Sequence, residues 1–294
     1  MKVGFVGVGR MGQAMCRRLI EAGHDLAVFD RVPEQMAAVV DAGAKATGSA
    51  SEAARYGKAV VTMLPDDAAL DAVVAQPGGL LETLPPGRIH ICAGTHSLAT
   101  IQRLKVLHGG ADQILIVTPM LGRPEVVAAG AAGMVVGGPP DSVAQCRSLF
   151  GAIAGRVVDA GADPAGAAAI KIANNFVLGC AIEAMGEGFA LVRKYGVDPG
   201  VLHKVMSEGL FGCWAYKTYG QIIIEERYLP AGQRAILGLK DANFALAAAE
   251  AVGVPLPSGN VWRDRLVGAI AHGEGDHDWA IMARDQARAS GLGK

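Results

Sequence analysis

The chain has 294 residues, of which 51% are hydrophobic, and its 27 basic residues nearly balance its 28 acidic ones. The net charge of −1 excludes a basic surface for nucleic acid and a polyanionic tail. We expect a soluble, cytoplasmic protein of one large or two medium domains, because no apolar run approaches about 20 residues and the start lacks a signal-peptide layout. Five scattered cysteines without a C-x-x-C pair predict neither a disulfide framework nor a zinc site.

The first half of the chain alternates short β-branched segments with segments of helical periodicity. Strands are predicted over 3–8, 26–29, 59–64, 89–92, 114–117, 134–136 and 156–158. Pro65, Asp66 and Asp67 predict the start of a helix after the third of these strands. Strands that alternate with helices pair in parallel, so this half predicts an α/β Rossmann-type, doubly wound domain.

The turn after the first strand carries a glycine pattern. Gly7, Gly9 and Gly12 fit G-x-G-x-x-G, with Gly7 following a strand and Gly12 opening a helix. Asp30 ends the next strand, which completes the dinucleotide-binding pattern. The predicted cofactor contacts of this region are Gly7, Val8, Gly9, Arg10, Met11, Gly12, Asp30 and Arg31. Asp30 favours NAD, because a carboxylate repels a 2′-phosphate, whereas the adjacent Arg31 leaves NADP possible.

The alternation of strands and helices stops after Gly161. Asp163 and Pro164 predict the start of a long helix that runs to about Tyr195 and ends at Gly196. At about 1.5 Å per residue this helix is roughly 45 Å long. The remaining sequence is helical in pattern, so we predict a Rossmann domain over 1–161 and an all-helical substrate and dimerisation domain over 162–294.

A polar group interrupts the apolar face of the long helix. Lys171, Asn174 and Asn175 lie within one turn, among alanines and isoleucines. Composition alone leaves two interpretations open, a substrate site and an interdomain hydrogen-bond network.

Four motifs in order make the chain resemble the β-hydroxyacid dehydrogenase family, which includes 3-hydroxyisobutyrate dehydrogenase and tartronate semialdehyde reductase. More distantly, the chain resembles 6-phosphogluconate dehydrogenase. The motifs are GFVGVGRMGQAM, TMLPDD, AGADPAGAAAIKIANN and GLKDANFALAAAEAVGVPLP, and the resemblance covers essentially the whole chain.

This resemblance implies roles for individual residues. Lys171 matches the catalytic lysine, and Asn175, beside Asn174, matches the amide that helps to hold the substrate. Lys240 matches the lysine that reaches the cofactor from the helical domain. Leu64 and Pro65 would line the cofactor, and Thr95 would lie near the nicotinamide. The reaction implied is hydride transfer between NAD(P) and a small 3-hydroxy acid or its semialdehyde, with Lys171 as general acid and base.

One segment departs from the family pattern. The family's A-P-V-S-G-G, which holds the substrate carboxylate, is replaced here by the residues from Thr118 to Arg123. Leu121 cannot donate a hydrogen bond, and Arg123, after Gly122, either takes the carboxylate or faces solvent. A less polar pocket would suit an imine, so an imine reductase is the alternative activity, although Lys171 with Asn175 is the alcohol-oxidising pattern.

The rest of the chain adds two expectations. The acidic and histidine-rich stretch from His272 to Asp278 is interpreted as a loop with a helix cap, and no metal site is predicted. The resemblance implies that the helical domains pair, giving a homodimer or homotetramer. A non-catalytic NAD-binding protein is disfavoured because it would not need Lys171 and Asn175.

Overall fold

The structure, a computed structural model, describes residues 1–292. It divides into two compact units, one comprising Met1–Lys171 and the other beginning at Ile172. Each unit has its own secondary-structure class, and each is described by itself. The division falls within a helix, ten residues beyond the predicted domain boundary at 161/162.

A six-stranded parallel sheet organises the first unit, with strand order β3-β2-β1-β4-β5-β6. Its strands are β1 (Lys2–Val6), β2 (Asp25–Phe29), β3 (Lys45–Ala46), β4 (Ala59–Thr62), β5 (Ile89–Cys92) and β6 (Ile114–Val117). Side chains alternate between two apolar cores: Val3 and Phe5 of β1 pack into one, and Val6 into the other. This burial on both faces explains the continuous apolar strands, and it confirms the Rossmann-type prediction.

Helices cover both faces of this sheet. They are α1 (Arg10–Glu21), α2 (Ala37–Val40), α3 (Ala50–Arg55), α4 (Asp67–Val74), α5 (Leu80–Thr83), α6 (Leu98–Gly110), α7 (Pro124–Ala128), α8 (Pro140–Gln145) and α9 (Arg147–Ile153), with a 3₁₀ helix over Pro33–Met36. Local caps set several starts: Asp66 accepts a hydrogen bond from the N–H of Ala69 at 2.8 Å at the start of α4.

The last strands of this unit form a separate sheet, which the prediction of one doubly wound sheet did not include. β7 (Met120–Leu121), β8 (Gly133–Val136) and β9 (Arg156–Asp159) form it, and β7 pairs with β8 in antiparallel fashion. The reason is local, because Pro119 follows β6 and Gly122, with φ of +150°, ends β7. The chain therefore reverses direction there instead of crossing over through a long helix.

The second unit is helical throughout its described residues. Its elements are α10 (Pro164–Lys194, which begins in the first unit), α11 (Pro199–Glu208), α12 (Trp214–Ile224), α13 (Ala235–Glu250), α14 (Pro257–Ala271), a 3₁₀ helix over Trp279–Ile281, and α15 (Met282–Ala289). Buried Trp262 and Trp279 meet edge to face in its core, with ring centroids 6.1 Å apart. Asp278 caps Trp279–Ile281 through the N–H of Ala280, as predicted for this loop.

The long helix α10 agrees closely with its prediction. The Asp163 carboxylate accepts a hydrogen bond from the N–H of Ala165 at 3.0 Å at its start, and Gly196, with φ of +72°, follows its end. By length and composition alone, α10 is long and apolar enough to cross a membrane. The sequence did not indicate this, because polar residues interrupt the apolar run. Core helices of soluble proteins meet the same criterion. Its polar Glu183 is paired with Arg265 of α14 at 3.0 Å.

A buried chain of hydrogen bonds crosses the first unit. Gln113 donates its amide to the carbonyl of Leu84 at 2.6 Å, so its oxygen accepts from Nδ1 of His108 at 2.7 Å. Nε2 of His108 then accepts from Nδ1 of His90 at 2.9 Å, and Nε2 of His90 accepts from the hydroxyl of Thr62 at 2.8 Å. This order requires both imidazoles to be neutral. Burial lowers the pKa of His90 well below its usual value, and it also lowers that of His108.

We therefore predict that acid destabilises the first unit through these two histidines. Each is neutral when folded but binds a proton when unfolded below its ordinary pKa of about 6.5, so stability is present above this pH and is lost as the pH falls below it. The slope reaches about 1.4 kcal/mol per pH unit for each histidine. Urea unfolding between pH 7.5 and 5 should show a smaller acid loss in His90→Gln than in the wild type. His272→Gln, at a half-exposed position, is the control, and an equal slope in all three proteins would contradict the prediction.

Candidate cofactor cradle and active site

At two positions of the turn between β1 and α1, no residue larger than glycine fits. Gly7 has φ of +94°, and a Cβ there would lie 2.3 Å from the carbonyl oxygen of Met63. A Cβ on Gly12 would lie 2.1 Å from the carbonyl oxygen of Gly7. Gly9 differs, because a Cβ added to it meets no described atom within 4 Å. Two glycines thus close the turn, and the third leaves open space above it.

This open space lies at the N-terminus of α1. Gly9 is the N-cap residue and has no side chain to cap the helix, and the first turn, from Arg10, Met11 and Gly12 onward, contains no acidic residue. A helix start of this kind presents N–H groups and partial positive charge to an anion. The residues present therefore fit the pyrophosphate of a dinucleotide.

Asp30 holds the same turn from the end of β2. Its carboxylate accepts hydrogen bonds from the N–H of Val8 at 2.7 Å and from that of Val32 at 2.9 Å. Both oxygens are engaged by backbone groups, so Asp30 ties the second strand to the glycine turn. The neighbouring Arg31 is exposed at this edge.

Leu64 connects the glycine turn to the loop that follows β5. One methyl group of Leu64 lies 3.0 Å from a Cβ built on Gly7, and its carbonyl oxygen lies 2.6 Å from a Cβ built on Gly94. Pro65, which is exposed, follows Leu64 and precedes Asp66, the N-cap residue of α4. The carboxyl ends of β1, β4 and β5 therefore meet at one edge, where open α/β sheets bind their ligands.

A small cavity of the first unit contains Lys171. Its amine-bearing side chain lines this cavity together with Gly94, Thr95 and His96 of the loop after β5. Apolar residues complete the wall: Ile101, Val117, Pro119 and Ala168. Lys171 and Thr95 are both half-buried. The structure thus brings two of the predicted site residues to one apolar cavity.

The segment that departs from the family pattern lies elsewhere in this unit. Leu121 ends β7, Gly122 has φ of +150°, and Arg123 is the N-cap residue of α7. The described wall of the Lys171 cavity includes Pro119 of this segment but none of these three residues. Leu121 packs on Gly133 of the neighbouring strand, with its Cβ 3.3 Å from a Cβ built there.

The amides and the second lysine belong to the helical unit. Asn175 is buried and donates to the carboxylate of Asp241 at 2.8 Å, which also accepts from the amide of Gln233 at 3.0 Å. The amine of Lys240 lies 3.5 Å from the other oxygen of Asp241. Asn174 is exposed. Sequence reasoning identified Asn175 and Lys240 but missed Asp241, whose only signal was its position after Lys240.

The loop beside Lys171 carries a charge pair that the sequence did not predict. Nδ1 of His96 lies 3.2 Å from the carboxylate of Asp67. Burial alone would lower the pKa of His96, but the neighbouring Cys92 sulfur and the Asp67 carboxylate raise it to about 9. Burial also opposes the charge on Asp67, yet hydrogen bonds from His96, Ser97 and Thr100 hold the pKa of its carboxyl far below the usual value. The pair is therefore imidazolium and carboxylate at neutral pH.

Within residues 1–292, no group of three or more histidine, cysteine, aspartate or glutamate side chains has the arrangement of a metal site.

Comparison with known proteins agrees with this architecture. The NAD-binding domain of 6-phosphogluconate dehydrogenase matches residues 2–161, and the family model described as NAD-binding of NADP-dependent 3-hydroxyisobutyrate dehydrogenase matches residues 165–285. The chain is 34% identical to the uncharacterised oxidoreductase YfjR of Bacillus subtilis, over 97% of this chain and 99% of that protein. It is 29% identical to 3-hydroxyisobutyrate dehydrogenase of Pseudomonas aeruginosa, over 94% of each chain.

A solved structure resembles the whole chain as well. The 3-hydroxyisobutyrate dehydrogenase of Mycobacterium tuberculosis, in a structure with L-serine, has a TM-score of 0.87 and 26% identity, over 96% of this chain and 98% of that one. The chain therefore belongs to the β-hydroxyacid dehydrogenase family and is an NAD(P)-dependent oxidoreductase acting on CH–OH donors.

Proposed function

We propose that the enzyme interconverts a small 3-hydroxy acid and its semialdehyde, with Lys171 as the general acid and base. The observation that carries this proposal is the cavity in which Lys171 meets Thr95, on the loop that follows β5. That loop leaves the carboxyl edge of the sheet, the edge at which Rossmann domains bind their cofactor. A proton-transferring amine at this edge is what the oxidation of an alcohol requires.

The cofactor, when bound, accepts or supplies the hydride. Lys171 removes the hydroxyl proton during oxidation and returns a proton to the carbonyl oxygen during reduction. The apolar wall formed by Ile101, Val117 and Ala168 excludes water from the amine and favours its neutral form. Thr95, which lines the same cavity, lies near the nicotinamide of the bound cofactor.

For the remaining residues we carry the resemblance forward as part of the proposal. Asn175 and Asn174 bind the substrate, and Lys240 contacts the cofactor. The hydrogen bond to Asp241 supports the role of Asn175, because it holds the buried amide in one orientation. Arg123, which follows Leu121 and Gly122, is the candidate partner of the substrate carboxylate, and the alternative is that it faces solvent and the pocket is less polar. The functional division proposed is a cofactor domain over 1–161 and a substrate and dimerisation domain over 162–294.

The alternative substrate class is an imine, which Leu121 favours because it removes a polar group from the substrate segment. A screen of small hydroxy acids, amino alcohols and cyclic imines distinguishes the hydroxy-acid activity from the imine activity. Turnover is monitored through the absorbance of NADH and NADPH. Turnover of a 3-hydroxy acid supports the proposal, and turnover of cyclic imines alone would replace it with the alternative.

We also propose a soluble, cytoplasmic homodimer or homotetramer assembled through the helical domain. Apolar side chains are exposed on this unit: Val177, Leu191, Val201, Val205 and Leu210. Large apolar side chains of this kind are buried when helical domains pair, which supports the proposed assembly. Light scattering coupled to gel filtration tests the assembly, and a monomer at micromolar concentration would contradict it.

Replacement of Lys171 tests the proposed reaction. We predict that Lys171→Ala lowers kcat by at least about a hundredfold, because proton transfer loses its acid and base, while the Kd for NADH stays nearly unchanged. Stopped-flow turnover and fluorescence titration of NADH measure the two effects. Lys105→Ala, at an exposed residue paired with Asp163, is the control. Wild-type turnover in Lys171→Ala would refute the assignment.

The preference between NAD and NADP depends on Asp30 and Arg31, which follow β2. We predict a higher kcat/KM with NADH than with NADPH, because Asp30 repels a 2′-phosphate, and residual use of NADPH that depends on Arg31. Arg31→Ala should lower kcat/KM for NADPH about tenfold and change that for NADH less than about twofold. Arg31→Lys, which keeps the charge, should retain most of the NADPH activity. Equal losses with both cofactors in Arg31→Ala would contradict this role.

A further inference from the structure

The Asp67 carboxylate is the centre of a hydrogen-bond cluster that the reaction proposed above does not use. It accepts from the N–H of Ser97 at 3.1 Å, from the hydroxyl of Ser97 at 2.5 Å and from the hydroxyl of Thr100 at 3.0 Å. Nδ1 of His96 is its fourth donor, at 3.2 Å. Asp67 begins α4, whereas all of these donors belong to the loop after β5 or to the start of α6. The cluster therefore fastens the loop that carries Thr95.

The His96 ring occupies the space that a side chain at position 94 would need. A Cβ on Gly94 would lie 2.4 Å from Nε2 of His96, so the glycine at 94 and the histidine at 96 depend on each other. The ring is buried, and Nε2 has no hydrogen-bond partner among the described residues. A large polar side chain is thus buried inside the loop, with Asp67 and the Cys92 sulfur as its polar neighbours.

His96 also lines the cavity of Lys171, whereas the described wall of that cavity does not include Asp67. His96 is therefore the member of the pair that shares a cavity wall with Lys171. The charged or titratable groups that interact with His96 are Asp67 of α4 and Cys92 and His90 of β5, and Lys171 of α10 lines the same cavity. His90 is neutral in its own hydrogen-bond chain, so two cationic side chains and one carboxylate share this region.

We propose that His96 and Asp67 are a positioning pair, in which Asp67 holds the Thr95 loop and the His96 imidazolium favours the neutral form of Lys171. A positive charge several ångströms from an ammonium group disfavours that ammonium group, and low surrounding polarity strengthens the effect. Lys171 then reaches its basic form at a lower pH than it would beside an uncharged side chain. This inference rests on the proposed role of Lys171.

Two variants separate the effect of the His96 charge from that of the hydrogen bonds that hold the Thr95 loop. His96→Asn keeps a donor in the place of Nδ1 but removes the charge, whereas Ser97→Ala removes one donor to Asp67 and keeps the charge. In His96→Asn we expect the pKa that governs kcat/KM for alcohol oxidation to rise by about 0.5–1 pH unit. In Ser97→Ala we expect the melting temperature to fall and that pKa to stay within about 0.2 pH unit of the wild-type value.

A second measurement needs neither cofactor nor turnover. Long-range ¹H–¹⁵N spectra of the cofactor-free protein should show the His96 ring protonated beyond pH 8 and losing its proton near pH 9. In Asp67→Asn the ring should lose its proton at a lower pH than in the wild type, because the Cys92 sulfur is then the one remaining neighbour that raises its pKa. A wild-type His96 that titrates below pH 7 would overturn the pair even if a variant fails to fold.

The two proposals fail in different ways. If Lys171→Ala abolishes turnover and His96→Asn leaves the pH profile unchanged, the pair has no influence on Lys171 and the inference is wrong, while the reaction stands. If Lys171→Ala turns over normally, the proposed reaction fails and the charge effect with it, whereas the ring titration still decides whether the pair exists. A shifted profile in His96→Asn, together with an unshifted one in Ser97→Ala, supports the inference.

Discussion

The close approach of Gly12 to the carbonyl oxygen of Gly7 is the constraint on which the cofactor site depends. A Cβ at position 12 would lie 2.1 Å from that oxygen, so any side chain would push α1 away from the strand that precedes it. The approach brings the start of α1 directly to the end of β1. Asp30 completes the arrangement, because its bond to the N–H of Val8 connects the second strand to the same turn. The N-terminus of α1 is thereby held open at Gly9.

The chemistry that we propose uses the next two strands of the same sheet. Leu64 follows β4 and contacts both the glycine turn and Gly94, so the three strand ends share one edge. Lys171 approaches this edge from α10, which is long enough to contribute residues to both compact units. The reacting groups thus come from a loop and a helix that are each fastened by buried polar contacts: Asp67 holds the loop, and Asn175 binds Asp241 one turn beyond Lys171.

Local patterns in the sequence were sufficient to predict much of this. Strands β5 and β6 were predicted to the residue, because apolar β-branched runs between turn signals have few other solutions. The glycine turn and α10 also carry local signals, namely the glycine spacing after a strand and the Asp163-Pro164 helix start. The separate sheet was missed, because β7 has two residues and the reversal at Pro119 leaves no periodic signal. Asp241 and the Asp67–His96 pair were missed because their partners lie 66 and 29 residues away, and side-chain pairing at such distances has no local pattern.

Gly9 offers the most direct test of the account, because the protein itself leaves space there. Gly9→Ala should keep the wild-type melting temperature within about 2 °C, since the added methyl group meets no described atom within 4 Å. Calorimetric titration with NADH should nevertheless show an affinity at least about tenfold weaker, because the methyl group projects into the space assigned to the pyrophosphate. A stable Gly9→Ala protein that binds NADH as tightly as the wild type would contradict the assignment of this turn as the cofactor cradle.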